Sequence, residues 1–186
     1  MEFCSALAGW EWDLALLQEV PPWWPATLAQ ACGAEAHAAR TSRNLGLGAR
    51  RAIASRNPDL LGANGGGCNA MLVRGLAVRE HRAVELTRRP ERRVAHGVRL
   101  DAGWVVNLHA TTDPKSRTHA DLAAAIRAFP GAVVLGGDLN THHPRVPELE
   151  PVAAHHLDHI FAASAGHGEL LDAGSLSDHR PLLAVL

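Results

Sequence analysis

The amino-acid sequence predicts a mixed α/β layered sandwich, and three observations carry that reading. Short apolar or alternating runs recur along the 186 residues and repeatedly end in polar side chains. One clear amphipathic helix, "THADLAAAIRAF", has Leu122, Ala125, Ile126 and Phe129 at helical spacing between two such runs. Other runs follow each other with only a turn between them, so the strict strand–helix alternation of a doubly wound sheet is missing.

Taken in order, "WDLALLQEV" (12–20) is a nearly continuous apolar run closed by "PPWWP", the pattern of a buried strand. "ATLAQACGAEAHAAR" has Ala-rich helical spacing, interrupted by Gly33, and "LGARRAIASR" suits a short helix or turn. "NGGGCNAMLVRG" is a glycine loop entering a strand from Asn69 to Val73. "LAVREHRAVEL" and "VAHGVRL" are strands, the second pairing with "GWVVNLHAT" across the "DAG" turn. "GAVVLGGDLN", "LDHIFA" and "PLLAVL" complete the set. No repeat, low-complexity tract or linker divides the chain, so residues 1–186 are read as one domain.

Composition excludes more than it selects. A formal net charge of -1 provides no global basic field, so a nucleic-acid partner must be held by a local patch. Three widely spaced cysteines, Cys4, Cys32 and Cys68, suit a reducing compartment better than a disulfide framework, and no CxxC marks a structural zinc site. No stretch has the length of a membrane span or the layout of a secretion signal, which points to the cytoplasm. No obligate protein partner is evident. Twelve histidines are the one excess.

The strand ends carry the chemistry. In "VVLGGDLN", Asp138 and Asn140 share a strand face while Leu139 takes the other. "VVNLHAT" repeats the pattern with Asn107 and His109. Asp158 and His159 border "LDHIFA", Asp178 and His179 border "PLLAVL", and Glu19 ends the first strand. A single polar strand end usually caps a turn. Five together at strand ends point to a site. Glu19, Asp138 and Asp178 supply hard oxygens suited to Mg²⁺ or Mn²⁺, Asn140 can donate to a phosphate oxygen, and an imidazole moves a proton near neutrality. The combination is that of metal-assisted phosphoester hydrolysis. Ser177 lacks a nucleophile-elbow context and Cys68 a local base.

"LLQEV", "CNAMLV", "VVNLH", "GGDLN", "LDHIFA" and "SDHRP", in this order, resemble the endonuclease/exonuclease/phosphatase superfamily from about Trp12 to the end. The resemblance implies a four-layer α/β/β/α sandwich, an α+β fold of two packed sheets flanked by helices with the site at one end. It also implies roles. Glu19 matches the metal-binding Glu, and Asp138 and Asn140 match the pair that positions the attacking water and contacts the phosphate. His109 matches a phosphate-binding His, Asp158 the acid that orients the catalytic His179, and Asp178 an acid in the metal or phosphate shell. One departure stands out: the family begins with an Asn-bearing strand, whereas the first Asn here is Asn44 and the chain opens inside a helix-like "CSALAGWEWD". The first strand is therefore expected to be absent, through a start codon lying further upstream or a truncation that weakens activity. The upstream start is favoured.

Competing readings accompany the remaining motifs. Trp23 and Trp24 could stack on a base, although covering the core is the commoner fate. "TRRPERR" and "GARRAIASR" could grip a phosphate backbone or simply be solvated, with Arg92 and Arg93 better placed than most. His142, His143, His155, His156 and His159 make a weak zinc nest, while His37, His81, His96, His119 and His167 are read as surface or packing residues. The expected activity is Mg²⁺- or Mn²⁺-dependent hydrolysis of phosphodiesters, foremost in nucleic acid. The alternatives are a phosphatase or sphingomyelinase-type enzyme and a non-catalytic phosphate-binding module.

Overall fold

The computed structural model describes residues 2–41, 67–89, 91–112 and 117–186. The proposed "LGARRAIASR" helix and Asn44 lie outside the described residues. Among those described, the elements in chain order are α1 (Glu2–Gly9), β1 (Leu14–Val20), α2 (Trp24–Cys32), β2 (Glu35–Arg40), β3 (Cys68–Val73), β4 (Glu80–Thr87), β5 (Arg93–Leu100), β6 (Gly103–Leu108), α3 (Arg117–Ala128), β7 (Ala132–Asp138), β8 (Glu150–His155), β9 (Asp158–Ala162), β10 (His167–Leu170) and β11 (Leu182–Val185).

These strands form a six-stranded sheet ordered β4-β5-β6-β7-β9-β8, a three-stranded sheet ordered β1-β3-β2 and a two-stranded pair β10-β11. β5 and β6 make the hairpin expected across the "DAG" turn. β6 and β7 run parallel, joined through α3, so both reach the same edge of the sheet with their C-terminal ends.

Side-chain alternation divides the interior into layers. On β6, Trp104, Val106 and Leu108 face α3 and pack with Leu122, Ala125 and Phe129. Val105, on the opposite face, meets Met71 and Val73 of β3 between the sheets. On the far side of β3, Cys68, Ala70 and Leu72 lie against Leu7 of α1 and Leu28 and Cys32 of α2. Helices, sheet, sheet and helix thus stack as four layers around three apolar clusters.

Two local expectations change. The Ala-rich run after Pro25 is not one interrupted helix: Gly33 adopts φ 63, the left-handed cap that ends α2, and the chain then turns into β2. Trp24 does not cover the core. It opens α2 at 40% exposure, tilted against Phe3 of α1. Among the described residues β1 pairs only with β3, and β11 only with β10. A cleft of about 2350 Å³ lies between their outer edges, lined by Leu14, Leu16, Val133, Val134, Ile160 and Leu183 among others.

A histidine cluster fastens the seam between the sheets. His81 Nε2 of β4 lies 2.8 Å from His96 Nε2 of β5, and His37 of β2 packs on His81 with ring centroids 5.0 Å apart. His96 is fully buried, so it is a core residue rather than a surface one. Burial, reinforced by the neighbouring His81 and His37, pulls its pKa down to about 3, and burial followed by His37 lowers that of His81. The 2.8 Å contact admits one N–H, donated by one ring and accepted by the other. A second proton would set two donors face to face. Because the folded pKa is depressed, the folded chain binds fewer protons than the unfolded chain at mildly acidic pH. The associated stability is complete above roughly pH 6.5 and is lost as pH falls towards the folded value. Urea unfolding at pH 5.0 should find the His96 share about 2 kcal/mol smaller than at pH 7.5. His96→Gln should flatten that slope, and equal slopes in both proteins would contradict the assignment.

Candidate active site

The parallel pair β6 and β7 sets the frame of the site. His109 and Ala110 leave the end of β6 beside the end of β7, where the Ala110 backbone N–H donates to the Asp138 carbonyl oxygen at 2.9 Å. β9 runs antiparallel to β7 with Asp158 directly opposite Asp138. At the end of β1 the ladder slips between Leu17 and Val20, and Glu19 in that bulge adopts φ 55 with its side chain 58% exposed. Asn140 also has a positive φ, 50°, which concentrates backbone strain at the site.

The space beside Gly136 and Gly137 is filled by the protein itself. A Cβ on Gly137, whose φ is 136, would lie 2.1 Å from the Leu108 carbonyl oxygen, and one on Gly136 would meet Leu16 Cδ1 at 3.0 Å. The glycines let β7 press against β6 and β1, which delivers Asp138 to the sheet edge.

Glu19, His109, Asp138, Asn140, Asp158, Asp178 and His179 all line one cavity of about 530 Å³. His109 spans two carboxylates, with Nε2 3.5 Å from Asp138 Oδ2 and Nδ1 4.0 Å from Glu19 Oε1. The Asn140 backbone N–H donates to Asp138 Oδ1 at 2.9 Å, and Asn140 Nδ2 donates to the Ala110 carbonyl oxygen at 2.9 Å. His179 Nδ1 lies 2.7 Å from Asp158 Oδ2, which fixes that nitrogen as the protonated one when the carboxylate is ionised. Ser177 Oγ accepts from the His179 backbone N–H at 3.1 Å, so its role is to shape the turn.

The electrostatics follow from the same contacts. Burial raises the Asp138 pKa, against the Asn140 backbone hydrogen bond, and Asp158 adds to the rise. For His179, burial acts downward but is outweighed by the Asp158 hydrogen bond and the charges of Asp158, Asp138 and Asp178, so its pKa is raised.

Among the described residues no three His, Cys, Asp or Glu side chains converge as a closed metal cage. A Mg²⁺ site does not require one, because that ion keeps several waters and takes one or two carboxylates plus substrate phosphate. Glu19, Asp138 and Asp178 line one cavity, and their oxygens are of the hard type that such an ion takes. The zinc nest does not form: His159 Nε2 lies 2.8 Å from the Thr141 carbonyl oxygen, and His155 and His156 stack on each other with ring centroids 4.2 Å apart.

Sequence reasoning grouped Asn107 with the site, but Asn107 is a buried cross-link. Its Nδ2 donates to the carbonyl oxygens of Leu17 at 3.0 Å and Ala70 at 2.9 Å, and its Oδ1 accepts from Gln18 Nε2 at 2.7 Å. Asp121 of α3 is buried. It accepts from the Thr111 backbone N–H at 2.9 Å and hydroxyl at 2.6 Å, anchoring the segment that follows His109. Gln18, Glu91, Arg93, Thr111 and Thr112 also line the cavity. Of these, only Arg93 carried a sequence signal, in "TRRPERR".

This arrangement is a four-layer α/β/β/α sandwich, with acids, an amide and imidazoles at the strand ends of packed sheets. The fold is that of the endonuclease/exonuclease/phosphatase proteins. No family model and no curated protein matches the sequence. Solved structures do match. A humanized D. rerio TDP2 is 16% identical with TM-score 0.67, over 97% of this chain and 86% of that one. An endonuclease/exonuclease/phosphatase family protein from Leptotrichia buccalis is 11% identical with TM-score 0.67, over 100% and 90%. The 3' phosphatase NExo from Neisseria, bound to a product DNA hairpin, is 14% identical with TM-score 0.63, over 99% and 92%. Against C. elegans TDP2, at 16% identity and TM-score 0.57, 85% of this chain aligns but spans only 57% of that one.

The backbone approach at Gly137 generates a prediction. Gly137→Ala should destabilise the fold by about 2 kcal/mol or more in urea unfolding. Gly9→Ala, where an added Cβ meets nothing within 4 Å, should change stability by less than about 0.5 kcal/mol.

Proposed function

We propose that the protein is a divalent-metal-dependent hydrolase of phosphodiester bonds, acting on nucleic acid as a nuclease. The observation that carries this reading is the single cavity shared by Glu19, His109, Asp138, Asn140, Asp158, Asp178 and His179. Two similar structures, NExo and a D. rerio TDP2, hold DNA products, which favours nucleic acid over lipid or inositol phosphate. Three unpaired cysteines suit a reducing compartment, so we assign the protein to the cytoplasm.

Each residue takes a role set by its contacts. Glu19, Asp138 and Asp178 hold Mg²⁺ or Mn²⁺, which when bound neutralises charge on the phosphate. Asp138, fixed by the Asn140 backbone N–H, orients a water for attack while the Asn140 carboxamide faces the phosphate. His109 donates to a phosphate oxygen. Asp158 holds the His179 imidazole through Nδ1 and favours its protonated form, leaving the second ring nitrogen to serve the phosphate and the departing oxygen.

A second reading is a phosphate-binding module without turnover. The exposure of Glu19, on a strand whose outer edge is unpaired among the described residues, favours it. Plasmid nicking in Mg²⁺ or Mn²⁺ separates the two. The enzyme reading expects nicking that is abolished by EDTA and reduced at least about 100-fold in Asp138→Ala and His179→Ala. Metal-dependent cleavage of neither DNA, RNA nor small phosphodiesters would leave the binding reading in place.

A further inference from the structure

The basic stretch "TRRPERR" divides in the structure. Arg88, with its side chain 82% exposed, and Arg92, 43% exposed, both pair with Glu85 on the surface. Arg92 Nη1 also donates to the Arg40 carbonyl oxygen at 2.6 Å. Arg93 instead begins β5 and turns inward, its side chain only 7% exposed, to line the same 530 Å³ cavity as the seven strand-end residues. Arg92 sits before β5, and Arg93 is the first of six consecutive buried positions on that strand.

Burying a guanidinium is costly unless its donors are taken up. Here Nη2 lies 2.8 Å from Glu91 Oε2, but among the described residues the buried Nε has no hydrogen-bond partner. An arginine kept only to stabilise the fold should have that donor paired. Its surroundings point to the missing acceptor. The cavity is lined by five carboxylates, Glu19, Glu91, Asp138, Asp158 and Asp178, and among the described lining residues Arg93 alone carries a permanent positive charge. An anion entering there meets strong repulsion unless a cation offsets it. Arg93 is close enough for its charge to act on the Asp138 carboxyl.

We propose that Arg93 is a substrate-binding residue of this site, whose guanidinium donates to a non-bridging oxygen of the phosphate and is held for that task by Glu91. This rests on the phosphoester reading but makes a separate claim, because phosphate binding is measured without turnover. A planar fork suits two oxygens of a tetrahedral phosphate in a way an ammonium does not.

The test titrates inorganic phosphate, and in parallel a short single-stranded oligodeoxynucleotide, into the protein with Mg²⁺ present. The readouts are calorimetry and the ¹⁵N resonance of the Arg93 Nε–H. In the unaltered protein phosphate should shift that resonance. Arg93→Gln should bind phosphate about tenfold to a hundredfold more weakly. Arg93→Lys should recover only part of the loss, and free guanidinium ion should restore binding to Arg93→Gln, a rescue that a purely structural role would not give. An unmoved Nε–H resonance, or equal phosphate affinity in Arg93→Gln and the unaltered protein, would overturn the proposal. The resonance needs no variant, so it decides the matter even if Arg93→Gln does not fold. Phosphate binding through Arg93 without metal-dependent cleavage would remove the enzymatic reading and leave this one standing.

Discussion

The placement of every polar group in the cavity depends on how closely the two sheets are held together, and that closeness is enforced by buried amides. Asn107 sits on the inner face of β6 with no exposure, yet its hydrogen bonds run to β1 and β3 of the other sheet. Asn69 does the reverse, its Nδ2 donating from β3 to the Val94 carbonyl oxygen of β5 at 3.0 Å. A purely apolar seam fills volume but tolerates sliding. A carboxamide that must find particular carbonyl oxygens has one register, because any slip leaves a polar group dry and unpaired. Asn107 lies two residues before His109, and its partners Leu17 and Gln18 lie just before Glu19. The cross-link therefore fixes the relative height of the two strand ends that face each other across the cavity.

The sequence discloses much of this arrangement because period-two alternation is a local property. It identifies the strand from which Asp138 emerges, the β5–β6 hairpin and α3 without reference to any partner. It does not disclose how a polar inward residue is used. Asn107 and His109 occupy the same strand face and look alike in sequence, but one is sealed between sheets while the other stands where β6 ends. Gly136 and Gly137 are silent for a related reason: a missing side chain shows that something approaches, and only the packing reveals that it is Leu108 and Leu16. Short, weakly patterned strands such as β8 and β10 escape detection since their partners, rather than their composition, make them strands. Arg93 stands in a charge run that reads as solvated, and its fate is set by where β5 begins.

Charge at the site is arranged as a surplus of acid restrained by a few donors. Asp138 and Asp158 face each other across β7 and β9, and burial, joined by the Asp158 charge, makes Asp138 harder to ionise. The structure answers with directed contacts: the Asn140 N–H on Asp138, His109 between Asp138 and Glu19, and His179 on Asp158. What these donors leave uncompensated is the demand a hard cation would meet. On the proposed reading a near-neutral chain need not display a basic face in order to take a phosphate, because one buried guanidinium and one cation would act at short range in a confined space, where charge is poorly screened.

The weakest mechanical link is the one that carries His179. The pair β10–β11 is not hydrogen bonded as part of either larger sheet, and β10 is exposed throughout. Residues 177 to 180 lead from it back to the cavity, and they also border the apolar cleft beside β1. The packing that would hold this turn rigid from beneath is thin along that cleft, so the 2.7 Å contact between His179 and Asp158 serves as an anchor as well as an electrostatic partner. Asp158 is suited to that double duty because its own position is dictated by the β7–β9 ladder. The imidazole inherits its placement from the six-stranded sheet through a single hydrogen bond, while β1 and β11 each leave one edge unpaired among the described residues.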